Sequence, residues 1–86
     1  MPLEELRSAK YKAVGTKQAL KAVEKDRAVK VFIAEDAEGR VLEPLIEVCA
    51  RKGVPVAKVQ SMKELGKACG VEVNTASCAL LIEESP

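Results

Sequence analysis

Three lysines recur at intervals of four residues in one short stretch of the sequence, at Lys17, Lys21 and Lys25. In a helix this spacing places the three ammonium groups in one stripe, because residues four apart lie one turn above each other. Gly15 and Thr16 precede the stripe, and a helix that begins there starts with unpaired backbone N–H groups. Such a helix start and such a lysine stripe both attract phosphate or other electronegative groups.

The residue types in this stretch also suit the edge of a nucleic-acid base. Gln18 offers a hydrogen-bond donor and an acceptor, and lysine donors match the N7 and O6 acceptors of guanine. Gly15 lets a backbone approach closely because it carries no Cβ. An ordinary capped helix with a solvated basic face produces the same pattern, so the spacing alone leaves both interpretations open.

Residues for catalysis or for metal binding are scarce. Histidine is absent, which removes the usual general base near neutral pH and the commonest metal ligand. Cys49, Cys69 and Cys78 contain no C-x-x-C pair, and we expect three reduced, buried thiols. Glu35 and Asp36 are adjacent, so on a strand they point to opposite faces. The sequence therefore predicts a protein that is not an enzyme and that holds no metal ion and no cofactor.

The formal net charge of +1 conceals a segregated distribution. Residues 7–30 carry eight basic and two acidic side chains, a net charge of +6, whereas residues 31–86 carry six basic and nine acidic ones, a net charge of −3. A local field of this kind can attract a polyanion although the mean charge does not, and a solvated lysine face explains it equally well. With one Phe, one Tyr and no Trp, base stacking on an aromatic platform is excluded.

The elements that position these residues alternate along the chain. Apolar periodicity and turn residues predict helices near residues 3–9, 16–25, 42–52 and 61–69. Strands are predicted at 29–34, 56–59 and 78–82, and a short segment at 11–14 completes the order α-β-α-β-α-β-α-β. Eighty-six residues fit a single domain, 1–86. The alternation predicts an α/β protein, a three-layer α/β/α sandwich with a central mixed four-stranded sheet.

Local signals predict several helix ends. Thr16 is expected to be the N-cap of the second helix. Pro44 is tolerable only in a first turn, so the third helix is expected to start near residue 42 or 43. Ser61 and Glu64 form a capping box at the start of the fourth helix, and residues 83–86 are expected to form a frayed tail. The third helix is expected to bury an apolar stripe made of Leu42, Leu45, Ile46 and Cys49.

Four separated stretches follow one order that is found in a known family. They are residues 12–23 (KAVGTKQALKAV), 31–36 (VFIAED), 52–56 (KGVPV) and 65–73 (LGKACGVEV). Together they cover nearly the whole chain and resemble the ribosomal protein L7Ae family of kink-turn RNA binders. The short length and the Gly-Thr-Lys-Gln stretch resemble the small bacterial members more than the longer archaeal proteins.

The resemblance implies a sandwich that docks on a sharply bent RNA, whose tandem sheared G·A pairs meet the start of the second helix. It also implies that the end of the second strand approaches the RNA, and that residues 71–76 form a loop over flipped-out nucleotides. Val71 and Val73 have an alternative interpretation, as the beginning of the last strand. The implied RNA-binding residues are Gly15, Thr16, Lys17, Gln18, Lys21, Glu35, Asp36, Val71, Glu72, Val73, Asn74, Thr75 and Ala76.

One position pair departs from the family pattern. Lys17 and Gln18 stand where archaeal and eukaryotic members have Asn and Glu. A glutamate accepts charge-assisted hydrogen bonds from guanine, whereas Gln18 accepts only through a neutral carbonyl oxygen. We therefore expect the same site with weaker recognition of the base edge and stronger attraction to phosphate.

Two functional classes follow from the sequence. The first is a cytoplasmic, monomeric protein without enzymatic activity that recognises and stabilises kink-turn motifs in structured RNA. It would associate with the ribosome and not with a membrane. The second is a protein-interaction or scaffold module of the same fold without RNA binding, which would use the helix that bears Leu42 and the acidic second half of the chain.

Overall fold

A computed structural model of the protein describes residues 2–82, and within that range four helices and four strands alternate strictly. The predicted order of elements is confirmed, and the predicted tail at residues 83–86 lies outside the described residues. The elements are α1 (Pro2–Ser8), β1 (Lys12–Val14), α2 (Thr16–Glu24), β2 (Ala28–Ala34), α3 (Gly39–Lys52), β3 (Val56–Val59), α4 (Met62–Cys69) and β4 (Ser77–Leu81).

The four strands form one mixed sheet in the order β1-β4-β2-β3. β4 is antiparallel to both of its neighbours, and β2 is parallel to β3. β1, β2 and β3 therefore run in one direction, and their last residues, Val14, Ala34 and Val59, lie at the same edge as Ser77, the first residue of β4. We call this the carboxyl edge. A helix follows each of the three strands, so α2, α3 and α4 all begin at the carboxyl edge.

Helices cover both faces of the sheet, with α2 packed on α3 at one face and α1 on α4 at the other. The strand β2 contributes side chains to both hydrophobic cores, one on each face of the sheet. Val31 and Ile33 pack in the cluster under α2 and α3, whereas Phe32 and Ala34 pack in the cluster under α1 and α4. This alternation follows from the period of two in a strand, and it accounts for the continuous apolar run in the sequence. The predicted three-layer α/β/α sandwich is confirmed.

The start of α3 differs from the prediction. The helix begins at Gly39, and Pro44 lies inside it. Pro44 has no N–H with which to bond the carbonyl of Arg40, so it removes one helical hydrogen bond. Arg40 is exposed. In the first turn of α3 the Val41 N–H donates to the carbonyl of Glu38, three residues earlier, at 3.1 Å. The rule that confines proline to a first turn therefore placed the helix start too late.

The apolar stripe of α3 was also predicted with one wrong member. Leu42, Leu45 and Cys49 are buried as expected, but Ile46 is 41% exposed. At 100° per residue Ile46 lies a full 100° from Leu45, at the flank of the helix. Val48 lies only 60° from Leu45 on the other side, and it is buried in its place.

Candidate nucleic-acid interface

The fold brings all three candidate segments of the sequence to the carboxyl edge. The Gly15 N–H donates to the Ser77 carbonyl at 2.9 Å, which joins the start of α2 to the start of β4. The Ala34 N–H donates to the Ala76 carbonyl at 2.9 Å, which joins the end of β2 to the loop of residues 71–76. The Glu35 N–H donates to the Val59 carbonyl at 2.8 Å. Residues 15–18, 35–36 and 71–76 therefore form neighbouring parts of one surface.

The start of α2 is built differently from the prediction. Gly15, not Thr16, is the N-cap, and its φ of 102° lies in the region that only glycine adopts freely. The predicted capping role of Thr16 is therefore wrong, because Thr16 is already the first helical residue. Its hydroxyl instead forms a 2.7 Å hydrogen bond with the hydroxyl of Ser77, which is fully buried. Among residues 2–82 no side chain caps α2, so its first N–H groups stay open to an outside acceptor.

The lysine stripe is an uncompensated patch of positive charge. Lys17 and Lys21 are exposed on α2, and Lys25 is exposed at its C-cap. None of the three forms an ion pair within residues 2–82, whereas Lys30 bonds Glu5 at 3.2 Å. The first turn of α2 contains no acidic residue either. The charge of the stripe is therefore available to an external anion.

The two acidic candidates have different surroundings. Asp36 Oδ1 accepts a 2.8 Å hydrogen bond from the Met62 N–H, at the start of α4. Asp36 therefore caps a helix of its own chain. The Glu35 side chain is exposed, and no hydrogen bond engages its carboxylate within the described range.

The loop of residues 71–76 precedes β4 and is not part of it. β4 begins at Ser77, so the alternative in which Val71 and Val73 start the last strand is wrong. The Val73 side chain is 70% exposed, and its neighbours Glu72 and Asn74 are exposed as well. Thr75 is only 4% exposed, and its N–H donates to the Met62 carbonyl at 3.1 Å. Residues 72–74 therefore present side chains to solvent, while Thr75 anchors the loop.

Two further residues shape this surface, and the sequence reasoning gave them no role. Gly66 of α4 lies against the Val73 carbonyl so closely that any Cβ would collide with that backbone. The buried hydroxyl of Ser77 is the partner of the Thr16 hydroxyl in the hydrogen bond described above. The sequence does single out Ser77, because a polar residue stands at the start of an apolar strand. Its partner Thr16, however, is 61 positions away in sequence. In the sequence Gly66 does not differ from any other glycine of a helix. Its role becomes visible only in the structure, where the loop of residues 71–76 packs against α4.

Comparison with known proteins identifies the family. The model of the ribosomal protein L7Ae/L30e/S12e/Gadd45 family matches residues 3–85 of the chain. The chain belongs to this family. The predicted resemblance is thereby confirmed over nearly its whole length.

Several relatives within the L7Ae family are small bacterial proteins, as predicted. An RNA-binding protein of Halalkalibacterium halodurans is 44% identical over 80 residues, which cover 93% of this chain and 98% of that protein. The RNA-binding protein YbxF of Geobacillus stearothermophilus is 40% identical over 81 residues, covering 94% and 99%. The Giardia lamblia 15.5kD RNA binding protein superposes with a TM-score of 0.84 at 31% identity, covering 95% of this chain and 69% of that chain.

Membership of the family agrees with the prediction that the chain is not an enzyme, and the two bacterial relatives are each named as RNA-binding proteins. Cys49, Cys69 and Cys78 are free and buried. A hydrogen bond with Cys69 raises the pKa of the Cys78 thiol, burial raises it further, and burial also raises the pKa of Cys49. Residues 2–82 contain no group of three potential metal ligands and no helix long and apolar enough to cross a bilayer.

Proposed function

We propose that this protein binds structured RNA and stabilises kink-turn motifs, with tandem G·A pairs docked against the start of α2. The observation that carries the proposal is the uncapped start of α2 at Gly15 beside the unpaired Lys17 and Lys21. Open N–H groups and lysine ammonium groups together match phosphate oxygens and the acceptor edge of guanine. Membership of the L7Ae family and the names of the relatives support RNA as the partner.

Each element of the carboxyl edge has a role in this proposal. Lys17 and Lys21 neutralise phosphates, and Gln18 donates to and accepts from a base edge. Thr16 holds the helix start in place through Ser77. The exposed Val73 side chain covers an unstacked base without any aromatic ring, because apolar contact with a base face requires none.

The mechanism is a shift of population in the RNA. A kink-turn exchanges between an extended and a bent state, and a protein favours the bent state only by binding it more tightly. The carboxyl edge meets that condition if its open helix start and its loop contact parts of the RNA that approach each other only after bending. We propose ribosomal and other structured cytoplasmic RNAs as targets, bound by a single copy of the chain.

Fluorescence energy transfer between dyes on the two arms of a kink-turn RNA tests this function. We expect the wild-type protein to shorten the distance between the arms, and to leave extended a control RNA whose G·A pairs are replaced by Watson–Crick pairs. Lys17→Ala and Lys21→Ala should each weaken binding and lower the slope of log affinity against log salt by about 0.9 for each phosphate that is no longer neutralised.

Arg51→Ala is the matched control, because Arg51 is exposed in the last turn of α3, away from the carboxyl edge. It removes the same charge and should change neither affinity nor salt slope. Equal binding of both RNAs by the wild type, or lysine variants that behave like Arg51→Ala, would contradict the proposed function.

The alternative scaffold function would use α3, the helix that bears Leu42, and the acidic second half of the chain. Leu42 is only 4% exposed and packs in the core under α2 and α3, so it offers no apolar surface to a partner. The large apolar side chains that α3 does expose are Val41 and Ile46. The names of the relatives favour RNA binding over a scaffold function.

A further inference from the structure

Two buried thiols lie next to each other in the core under α1 and α4. Cys69 is the last residue of α4, and Cys78 is the second residue of β4. Their side chains belong to the same hydrophobic cluster, and a hydrogen bond joins the two thiols. We call Cys69 and Cys78 the thiol pair. The third cysteine, Cys49, packs in the core on the opposite face of the sheet, so the sheet separates it from the pair.

The thiol pair stands at the two ends of the loop of residues 71–76. Only residues 70–77 separate the two cysteines in sequence. The loop runs back along α4, because the Thr75 N–H donates at 3.1 Å to the carbonyl of Met62 at the start of that helix. The hydrogen bond between the thiols already holds the end of α4 beside β4. A bond between the two sulfurs would therefore close a covalent ring of ten residues that contains the whole loop.

The two thiols of the pair differ in acidity and in exposure. The hydrogen bond with Cys78 lowers the pKa of the Cys69 thiol, burial opposes this effect, and the ammonium group of Lys12 lowers the pKa as well. The same hydrogen bond and burial raise the pKa of the Cys78 thiol. Cys69 is 6% exposed, whereas Cys78 is fully buried. Because a thiolate is the reactive form of cysteine, Cys69 reacts first with a small oxidant, and Cys78 lies ready to react with the product.

We propose that Cys69 and Cys78 form a reversible disulfide bond when the protein meets a peroxide, and that this bond weakens RNA binding at the carboxyl edge. The Cys69 thiolate attacks one oxygen of the peroxide and the O–O bond breaks. Cys69 becomes a sulfenic acid, and the leaving hydroxide takes up the proton that Cys69 had released and forms water. The Cys78 sulfur then attacks the Cys69 sulfur, the S–O bond breaks, and the hydroxyl leaves with the Cys78 proton as a second water. The two thiols have lost two electrons and two protons to the peroxide, and a dithiol reductant reverses the oxidation by thiol–disulfide exchange.

The disulfide bond changes the shape of the loop between the two cysteines. Its sulfurs lie about 2.05 Å apart, closer than two hydrogen-bonded thiols, so the end of α4 and the start of β4 must draw together. The loop has no room to follow this movement in place, because the Val73 carbonyl already lies against Gly66 so closely that no Cβ would fit. We therefore expect the exposed residues 72–74 to shift relative to the start of α2. This effect on RNA rests on the proposed function, whereas formation of the disulfide bond does not.

Peptide mapping of the folded wild-type protein tests the disulfide bond without any variant. The protein is treated with a small excess of hydrogen peroxide, its remaining thiols are alkylated in denaturant, and it is cut with trypsin. No lysine or arginine follows Lys67, so both members of the pair lie in the fragment 68–86, whereas Cys49 lies in the fragment 41–51. We expect the fragment 68–86 to lose the mass of two hydrogens and to take up no alkylating agent, while Cys49 stays fully alkylated. A second cut after Glu72 should give two pieces that stay joined until a reductant is added.

Three results of the peptide map would overturn the inference. They are alkylation of both members of the thiol pair after peroxide treatment, conversion of Cys69 alone to a sulfinic acid, and oxidation of Cys49 to the same extent as the pair.

Binding titrations with the kink-turn RNA test the effect of the bond. The oxidised wild type should bind several-fold more weakly than the reduced protein, and dithiothreitol should restore the affinity. Cys69→Ser cannot form the bond, so peroxide should leave its affinity unchanged, whereas the control Cys49→Ala should respond to peroxide like the wild type. Equal affinity of the oxidised and reduced wild type, or an equal loss in Cys69→Ser, would overturn the effect on RNA. A reduced wild type without preference for the kink-turn would overturn the proposed function, and the disulfide bond would then stand on the peptide map alone.

Discussion

The starts of α2 and α4 lie at the same carboxyl edge, but their unpaired N–H groups are satisfied in opposite ways. At α4, Ser61 Oγ accepts from the Glu64 N–H at 3.1 Å and Asp36 Oδ1 accepts from the Met62 N–H at 2.8 Å. At α2, the N-cap is Gly15, and no side chain in the described part of the chain accepts from the first turn. Similar backbone geometry therefore produces a closed helix start in one place and an open one in the other.

The charges of the two first turns differ in the same sense. The first turn of α4 contains Glu64, whose carboxylate offsets the partial positive charge of a helix start. The first turn of α2 contains no acid, and Lys17 adds a further positive charge. The first turn of α4 holds Lys63 beside Glu64 and so has no net charge. The fold therefore requires neither an uncapped nor a positively charged first turn, since the first turn of α4 is capped and neutral. The open start of α2 is thus the feature that an external anion would complete.

The largest effect should come from breaking the packing that holds the loop against α4. Gly66→Ala places a Cβ into the Val73 carbonyl, and we expect unfolding free energy to fall by about 1–3 kcal/mol, the usual cost of overpacking. Gly39→Ala is the matched control, because no atom lies within 4 Å of a Cβ there. Urea denaturation of both variants measures the difference. Equal stability of the two would mean that the loop does not depend on Gly66.

The closed start of α4 should open, at a smaller cost, when its caps are removed. Asp36→Ala deprives the Met62 N–H of its acceptor, and removal of a cap costs about 0.5–2 kcal/mol. Gln18→Ala at the open start of α2 removes no cap, and thermal unfolding should show it close to the wild type. A stability loss confined to Gln18→Ala would reverse the comparison between the two helix starts.

The smallest effect should come from giving α2 the acid that α4 has. Gln18→Glu places a carboxylate in the first turn of α2, and we expect a gain of about 0.3–1 kcal/mol in unfolding free energy at low salt. The same change gives the site a charged acceptor for guanine. It should therefore increase the ratio of the affinity for RNA with G·A pairs to the affinity for RNA without them. Thermal unfolding at two salt concentrations and competition between the two RNAs measure these effects. A loss of preference for G·A pairs would contradict a base-edge role for Gln18.

The sequence predicted those parts of the molecule that depend on neighbouring residues. The cap at Ser61 was predicted correctly, because it is decided within one turn of a helix. The predicted start of α3 was wrong because Pro44 lies inside the helix, where it removes one hydrogen bond to the carbonyl of Arg40, an exposed residue.

The surroundings of the candidate site depended on contacts between distant residues. Asp36 meets Met62 across 26 positions, and Thr16 meets Ser77 across 61, so neither partner was visible in a local pattern. The resemblance to the L7Ae family supplied the candidate residues. It did not distinguish exposed members such as Val73 from Thr75, which is buried and anchors the loop. That division appears only when the loop is packed against α4.

Three helices that begin at one edge of the sheet give the molecule an electrical polarity that its net charge of +1 does not express. Each helix contributes roughly half a positive charge at its start and half a negative charge at its end. The helix dipoles therefore add positive potential at the carboxyl edge. Asp36 and Glu64 offset it at the start of α4, whereas no acidic residue in the first turn offsets it at the start of α2. Within about one Debye length of an RNA, roughly 8 Å at physiological salt, the potential at the start of α2 favours collisions in which that helix start arrives first. A nearly neutral protein can thus be oriented by a polyanion that hardly attracts it.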